Sequence, residues 1–289
     1  MDTSLVSFLT PKKLKLNGVW LGSDAADTAF IFLHGLGGSL FSRSPLTSLL
    51  AGKKQAVFAL NNRGSGTINY FKKEVKSKPT YFLAGVAHEV FTDCVDDIDG
   101  AVAYVQQRGA KNIYLLGHST GCQKSIYYLS KRPHSPVRGA ILLAPVSDYA
   151  SIIKTVDPKV YRRALSAARK LVATNKSQVL LPEKLWLPQY SAQRFLSLFT
   201  PDSPEEIFTY GSKAKPVALR RANKPILAIL AELDQVASCN ADELAAWFKN
   251  ELNNGNNSKT IIIKGADHGF EDKEVELAKI IITWLKALQ

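Results

Sequence analysis

Short apolar runs alternating with helix-period stretches constrain this chain more than any other feature. Ala29–Leu33 (AFIFL), Ala56–Leu60 (AVFAL), Ile113–Leu116 (IYLL) and Ala140–Ala144 (AILLA) are each closed by Gly, His, Asn or Pro. Strands covered on both faces look like this, because neither face needs polar residues. Ile226–Leu230 (ILAIL) and Thr260–Ile263 (TIII) repeat the pattern, and Leu5–Leu9 and Leu14–Trp20 read as early strands. Between them, Val95–Gln107 sets Val95, Ile98, Val102 and Val105 at helical spacing. Ala241–Leu252 does the same with Leu244, Trp247 and Phe248, entered by an N-cap at Asn240 and stopped by Asn253-Asn254-Gly255. Glu274–Leu288 carries Leu277, Ile281, Trp284, Leu285 and Leu288 on one side, as a closing helix docked on the sheet would. The order predicts an α/β fold with a mainly parallel central sheet flanked by helices.

Residues 150–217 break the alternation. Asp157-Pro158 marks a helix start that Val160–Val172 continues. Pro182, Pro188, Pro201 and Pro204 then fall among Trp186, Tyr190, Phe195, Phe199, Phe208 and Tyr210, with no strand run. This segment reads as an inserted, mostly helical cap, dividing the core into 1–149 and 218–289. The alternative is a long helical crossover. The aromatics fit the wall of an apolar pocket and ordinary core packing equally well.

The 289 residues are 46% hydrophobic and 21% charged, an ordinary globular profile with ample core. No apolar run reaches the roughly 18–20 residues of a membrane span, so no stable membrane insertion is expected. Met1-Asp2-Thr3-Ser4 lacks a positive n-region and Val6–Leu9 is too short for a signal core, so a cytoplasmic location is expected. Cys94, Cys122 and Cys239 are few and widely spaced, which fits free thiols and no metal-ligand pattern. The net charge of +12 gathers partly in a basic loop (Lys72, Lys73, Lys76, Lys78) and a second cluster (Lys159, Arg162, Arg163, Arg169, Lys170). Neither is interleaved with aromatics, so no nucleic-acid partner is expected. Attraction of an anionic substrate is the functional alternative to plain solubility.

The chemistry concentrates at strand ends. Gly117-His118-Ser119-Thr120-Gly121 follows the run Ile113–Leu116 and precedes the helical run Cys122–Leu129. A serine on such a tight strand-to-helix turn is lifted into solvent at a helix N-terminus, and its neighbours two residues away must be small. The Thr120 N–H then faces a developing oxyanion. His34-Gly35-Leu36-Gly37-Gly38 follows Ala29–Leu33 and offers a second donor, the N–H of Leu36. A Walker loop would need Gly-Lys-Ser/Thr, which is absent. Of five histidines, His268 in Gly265-Ala266-Asp267-His268-Gly269-Phe270 lies past the last strand, where a base for Ser119 belongs. Asp234 follows Ile226–Leu230 and completes the order Ser119, Asp234, His268; Asp148, Glu232 and Asp267 are rival acids.

These motifs resemble the α/β-hydrolase superfamily of serine hydrolases over nearly the whole chain. Gly117–Gln123 with Tyr127-Tyr128-Leu129, Ala144–Asp148 and Ser191–Leu198 are similar to a subgroup that includes fungal siderophore-ester (fusarinine-type) hydrolases. The resemblance implies the α/β-hydrolase fold and hydrolysis of a small-molecule ester, with Ser119, His268 and Asp234 as nucleophile, base and acid. It needs no metal or organic cofactor. The sequence departs from many relatives at Asn61-Asn62-Arg63-Gly64, where Asp commonly precedes Arg-Gly. An acyltransferase, thioesterase or amidase uses the same triad, and a hydrolase-fold receptor keeps the fold without turnover. A dehalogenase is disfavoured, because its nucleophile is a carboxylate. Oligomeric state is not legible.

Overall fold

The computed structural model describes residues 2–75, 78–212, 214–252 and 257–288. Ten strands form in chain order: β1 (Thr3–Leu9), β2 (Lys15–Leu21), β3 (Thr28–Leu33), β4 (Gln55–Asn61), β5 (Asn69–Lys73), β6 (Thr80–Ala84), β7 (Asn112–His118), β8 (Val137–Leu143), β9 (Ile226–Ala231) and β10 (Lys259–Ile263). The α-helices are α1 (Ser44–Leu50), α2 (Cys94–Gln107), α3 (Thr120–Lys131), α4 (Asp148–Thr155), α5 (Pro158–Ala173), α6 (Ala192–Phe199), α7 (Val217–Arg221), α8 (Ala241–Glu251) and α9 (Glu274–Lys286).

Eight strands form one sheet in the order β1-β2-β4-β3-β7-β8-β9-β10. β1, β2 and β4 pair antiparallel, and every pairing from β4 to β10 is parallel. From β3 the chain steps outward to β4, then crosses back to β7 and proceeds the other way. The strand order therefore reverses between β3 and β7, and the loops leaving those two strands diverge around a crevice. These are the loops that begin with His34 and Ser119.

Side-chain alternation sorts the sheet into two cores. Ala29, Ile31 and Leu33 of β3 pack with Ile98, Val102 and Val105 of α2, Cys122 and Ile126 of α3, and Leu244 and Phe248 of α8. Phe30 and Phe32 face the other way, onto Leu46 and Leu50 of α1 and Leu277, Ile281 and Trp284 of α9. Both faces are covered, so these strands carry no polar alternation. Asn240 caps α8 by accepting the Glu243 N–H at 2.8 Å. The terminator Asn253-Asn254-Gly255 lies outside the described residues.

The basic stretch is not a loop. Lys72 and Lys73 belong to β5, which pairs antiparallel with β6 in a separate two-stranded sheet. Only Phe71 of β5 turns inward, and the exposed lysines hide the strand period from a hydropathy reading. Lys76 lies outside the described residues.

Between β8 and β9 the chain builds α4 to α7. Asp157 accepts the Lys159 N–H at 2.6 Å and caps α5 ahead of Pro158. Ala164, Ala168, Leu181, Trp186, Tyr190, Phe195 and Phe199 form a third apolar cluster. Trp186 and Phe195 meet edge to face at 4.9 Å, so the aromatics of this segment pack one another. Buried charge fastens the segment to the sheet domain. Lys124 of α3 pairs with Glu89 at 2.6 Å, Arg194 of α6 meets Glu89 at 3.1 Å, and Arg194 meets Glu205 at 2.5 Å. Ser191 N–H donates to the Ala87 carbonyl at 2.7 Å, and Arg194 Nε donates to the Val86 carbonyl at 3.2 Å. Burial alone would raise the Glu89 pKa, but Lys124 and Arg194 hold it at about 2.

Removing one member of a buried ion chain strands its partners. Arg194→Met is expected to cost about 3–5 kcal/mol. Arg132→Met, at a half-exposed pair with Asp99, should cost less than about 1 kcal/mol. Urea denaturation of both variants measures the contrast, and equal midpoints would remove the ionic fastening from the account.

Candidate active site

Ser119 sits between β7 and α3 with φ 53° and ψ −123°. An L-residue rarely adopts this backbone, which persists only where surrounding structure enforces it. The enforcement is visible. Ser119 N–H donates to the Leu143 carbonyl at 2.9 Å. A Cβ on Gly121 would lie 2.0 Å from the Leu33 carbonyl oxygen, and one on Gly117 would lie 2.4 Å from the Gly121 oxygen. The two flanking glycines are therefore required by close approach of strand and helix backbones.

The His34–Gly38 loop lies against this turn. A Cβ on Gly35 would come within 3.0 Å of the Ser119 Cβ. Gly37, at φ 63°, bridges to Ser65, and Gly38 N–H donates to the Gly35 carbonyl at 3.1 Å. Thr120 opens α3, so its N–H has no intrahelical acceptor. Among the described residues the Leu36 N–H also has no protein acceptor. Both donors belong to segments that touch at the Gly35–Ser119 contact.

His268 follows β10 and Asp234 follows β9, neighbouring parallel strands. His268 Nδ1 lies 2.9 Å from each Asp234 carboxylate oxygen. A carboxylate only accepts, so Nδ1 donates, and in the neutral ring Nε2 is then the nitrogen that keeps the lone pair. Val236 and Ala237 N–H groups donate to Asp234 Oδ1 at 2.9 and 3.2 Å and fix the carboxylate. The rival acids are engaged elsewhere. Asp148 accepts from Gln123 Nε2 at 2.9 Å, Glu232 accepts the Gly265 N–H at 2.7 Å, and Asp267 accepts the Glu271 N–H at 3.1 Å.

The histidine loop is docked on the serine turn. His118 Nε2 donates to the His268 carbonyl at 2.9 Å, and the two rings lie 5.2 Å apart. Gln235 Oε1 accepts the His268 N–H at 3.1 Å. The structure thus joins His268 to Asp234 directly, and joins the His268 loop to the serine turn through His118. No hydrogen bond between Ser119 Oγ and His268 is among the contacts of the described residues. The positioning by His118 and Gln235 is not visible in sequence patterns. The adjacency of His118 to the serine is its only trace.

Burial keeps the surrounding histidines neutral. Desolvation pushes His118 down to about 4, and desolvation with the nearby Lys124 charge pushes His34 to about 4. His34 Nδ1 donates to the Gly35 carbonyl at 2.8 Å, which makes its role one of holding the loop. At the start of α4, burial and the charge on Glu205 raise Asp148 to about 7. Burial also raises Glu206 to about 8, although Ser147 Oγ donates to it at 2.7 Å. Among the described residues no group of three or more His, Cys, Asp or Glu side chains is arranged to hold a metal ion. No helix among them is long and apolar enough to cross a membrane.

A raised carboxyl keeps its proton longer in the folded state than in the unfolded one. Its contribution is complete below about pH 4.5 and disappears as pH rises through about 8 for Glu206. Glu206→Gln is therefore expected to reduce the loss of stability between pH 5 and pH 9 by about 2 kcal/mol, after discounting for partial exposure. Denaturation midpoints across that range test this, and parallel curves for variant and wild type would contradict it.

The geometry can be set beside known proteins. A family model described as a protein of unknown function (DUF1749) matches residues 69–287. The fusarinine C esterase sidJ of Aspergillus fumigatus is 37% identical over 130 residues, covering 32% of this chain and 36% of that protein. The match thus spans about a third of the relative's length. Among solved structures, a Pyrococcus furiosus esterase superposes with a TM-score of 0.61 at 18% identity, over 99% of this chain and 91% of that one. The α/β hydrolase GrgF from Penicillium sp. sh18 gives 0.64 at 18% identity, over 99% of both chains. The fold is that of the α/β hydrolases, and the chain belongs to the DUF1749 family.

Proposed function

We propose that the chain is a serine-dependent hydrolase of carboxylic esters. The observation that carries this reading is the His268–Asp234 pair, which leaves Nε2 unprotonated on a loop docked against the strained Ser119 turn. A serine hydroxyl is a weak nucleophile without such a base. In the proposed reaction His268 Nε2 takes the Ser119 proton as Oγ attacks the ester carbonyl. The N–H groups of Leu36 and Thr120 hold the oxyanion, each worth about 3–4 kcal/mol in the transition state. His268 then protonates the leaving alcohol, and a water activated by the same nitrogen releases the acid and restores Ser119. Asp234 fixes the imidazole and stabilises its charged form.

The partial similarity to a fusarinine C esterase supports a small-molecule ester of the siderophore type as substrate. Residues 150–217 would form the cap over the site, since α4 begins just after β8, whose Leu143 carbonyl holds the Ser119 N–H.

The test is hydrolysis of a panel of p-nitrophenyl and natural esters, including a ferric hydroxamate ester. Ser119→Ala and His268→Ala are expected to lose at least about 10³-fold in kcat. Asp234→Asn should lose a comparable factor, whereas Asp148→Asn should stay within about tenfold of wild type. Equal rates for wild type and Ser119→Ala would end the esterase reading. Collapse in Asp148→Asn with activity kept in Asp234→Asn would reassign the acid.

A further inference from the structure

Among the described residues, Arg43 beside the proposed site has no ion-pair or side-chain hydrogen-bond partner. Arg43 stands at the N-terminal end of α1 in the left-handed region, φ 62°, and its side chain does not cap the helix. Its Nε is buried without a hydrogen-bond partner, and no carboxylate lies within ion-pair distance among the described residues. A guanidinium presents five N–H donors, and a part-buried one is ordinarily matched by acceptors. Here backbone strain and unmet donors coincide at one residue, a combination that folding alone does not reward.

The location gives it meaning. A Cβ on Gly269, the residue after His268, would lie 2.9 Å from Arg43 Nη1 and 3.6 Å from its Cζ. The guanidinium therefore lies over the backbone of the histidine loop. Its positive charge adds to burial in disfavouring protonation of His118. Asp267 Oδ1 is 3.5 Å from the same Gly269 Cβ position, but it accepts the Glu271 N–H and is not ion-paired to Arg43. On the same stretch of chain, Leu36 and Phe41 leave apolar surface in solvent, 37% and 71% exposed. An unpaired guanidinium at the edge of the histidine loop, on a chain segment that also exposes Leu36 and Phe41, matches a carboxylate on a short aliphatic chain.

We infer that Arg43 binds a carboxylate carried by the substrate, so that the preferred esters are half-esters of dicarboxylic acids or similar anionic esters. This rests on the esterase reading for turnover but not for binding. Arg43 is a positioning and specificity residue: it holds the far end of the acyl chain while Ser119 meets the near end.

The experiment compares mono-p-nitrophenyl glutarate with p-nitrophenyl pentanoate, which has similar length and no charge. Wild type should favour the glutarate in kcat/KM by roughly 10- to 100-fold, the range of a charge-assisted hydrogen bond. Arg43→Gln should bring that ratio near one, mainly through KM, and Arg43→Lys should restore part of it. A ratio near one in wild type, an unchanged ratio in Arg43→Gln, or equal slowing of both substrates would overturn the assignment. Calorimetry of monomethyl glutarate on Ser119→Ala, with and without Arg43→Gln, reads binding separately. Binding that depends on Arg43 without turnover of any ester would sink the esterase reading and keep the carboxylate site. Absence of binding alongside ester turnover would do the reverse.

Discussion

The backbone contact between Gly121 and the Leu33 carbonyl is the constraint on which the site depends. It brings the start of α3 against the end of β3 with no room for a side chain between them. Two consequences follow from that distance alone. The turn before α3 is forced into the strained conformation of Ser119, and the loop leaving β3 is carried across its top. Ser119 and the N–H groups of Leu36 and Thr120 are thereby placed by main chain, which deforms less than side chains do. His268 and Asp234 follow a different pair of strands, and the His268 loop reaches the serine turn through the His118 ring.

Much of this is legible in the sequence because each signal is local. The runs AFIFL, AVFAL, IYLL and AILLA become β3, β4, β7 and β8 with ends shifted by at most three residues. Both faces of these strands are covered, so composition alone marks them. Ser119, Asp234 and His268 stand out because each closes a strand run by a few residues. What escapes is long-range or hidden. The β5–β6 hairpin turns one aromatic inward and otherwise shows lysines, so its period is masked. The Glu89, Lys124, Arg194 and Glu205 chain joins residues far apart in sequence. Lys124 amid the buried face of α3 is the one local sign of it. The aromatics at 186–199 admit both pocket and core readings from sequence, and packing against Ala164 and Ala168 resolves them as core. Arg43 has no signal at all, since nothing in its neighbours announces a left-handed arginine.

Several buried titratable groups near Ser119 and His268 are shifted toward their neutral forms. His34 and His118 are held uncharged by burial, and Asp148 and Glu206 keep protons well above the ordinary carboxylate range. Near pH 7 Asp148 is about half ionised, while Glu206 keeps its proton.

The ionic fastening of α6 has a kinetic meaning. Raising this segment as a rigid body would expose Glu89 and Arg194 and break the bonds from Ser191 and Arg194 to the 86–87 backbone. Breaking these contacts together makes a raised state a minor one. On the proposed reading, a substrate that reaches Ser119 without this rearrangement would pass along the edge of the segment. The side-chain and loop motions that such passage needs run in nanoseconds to microseconds, faster than the swing of a whole lid.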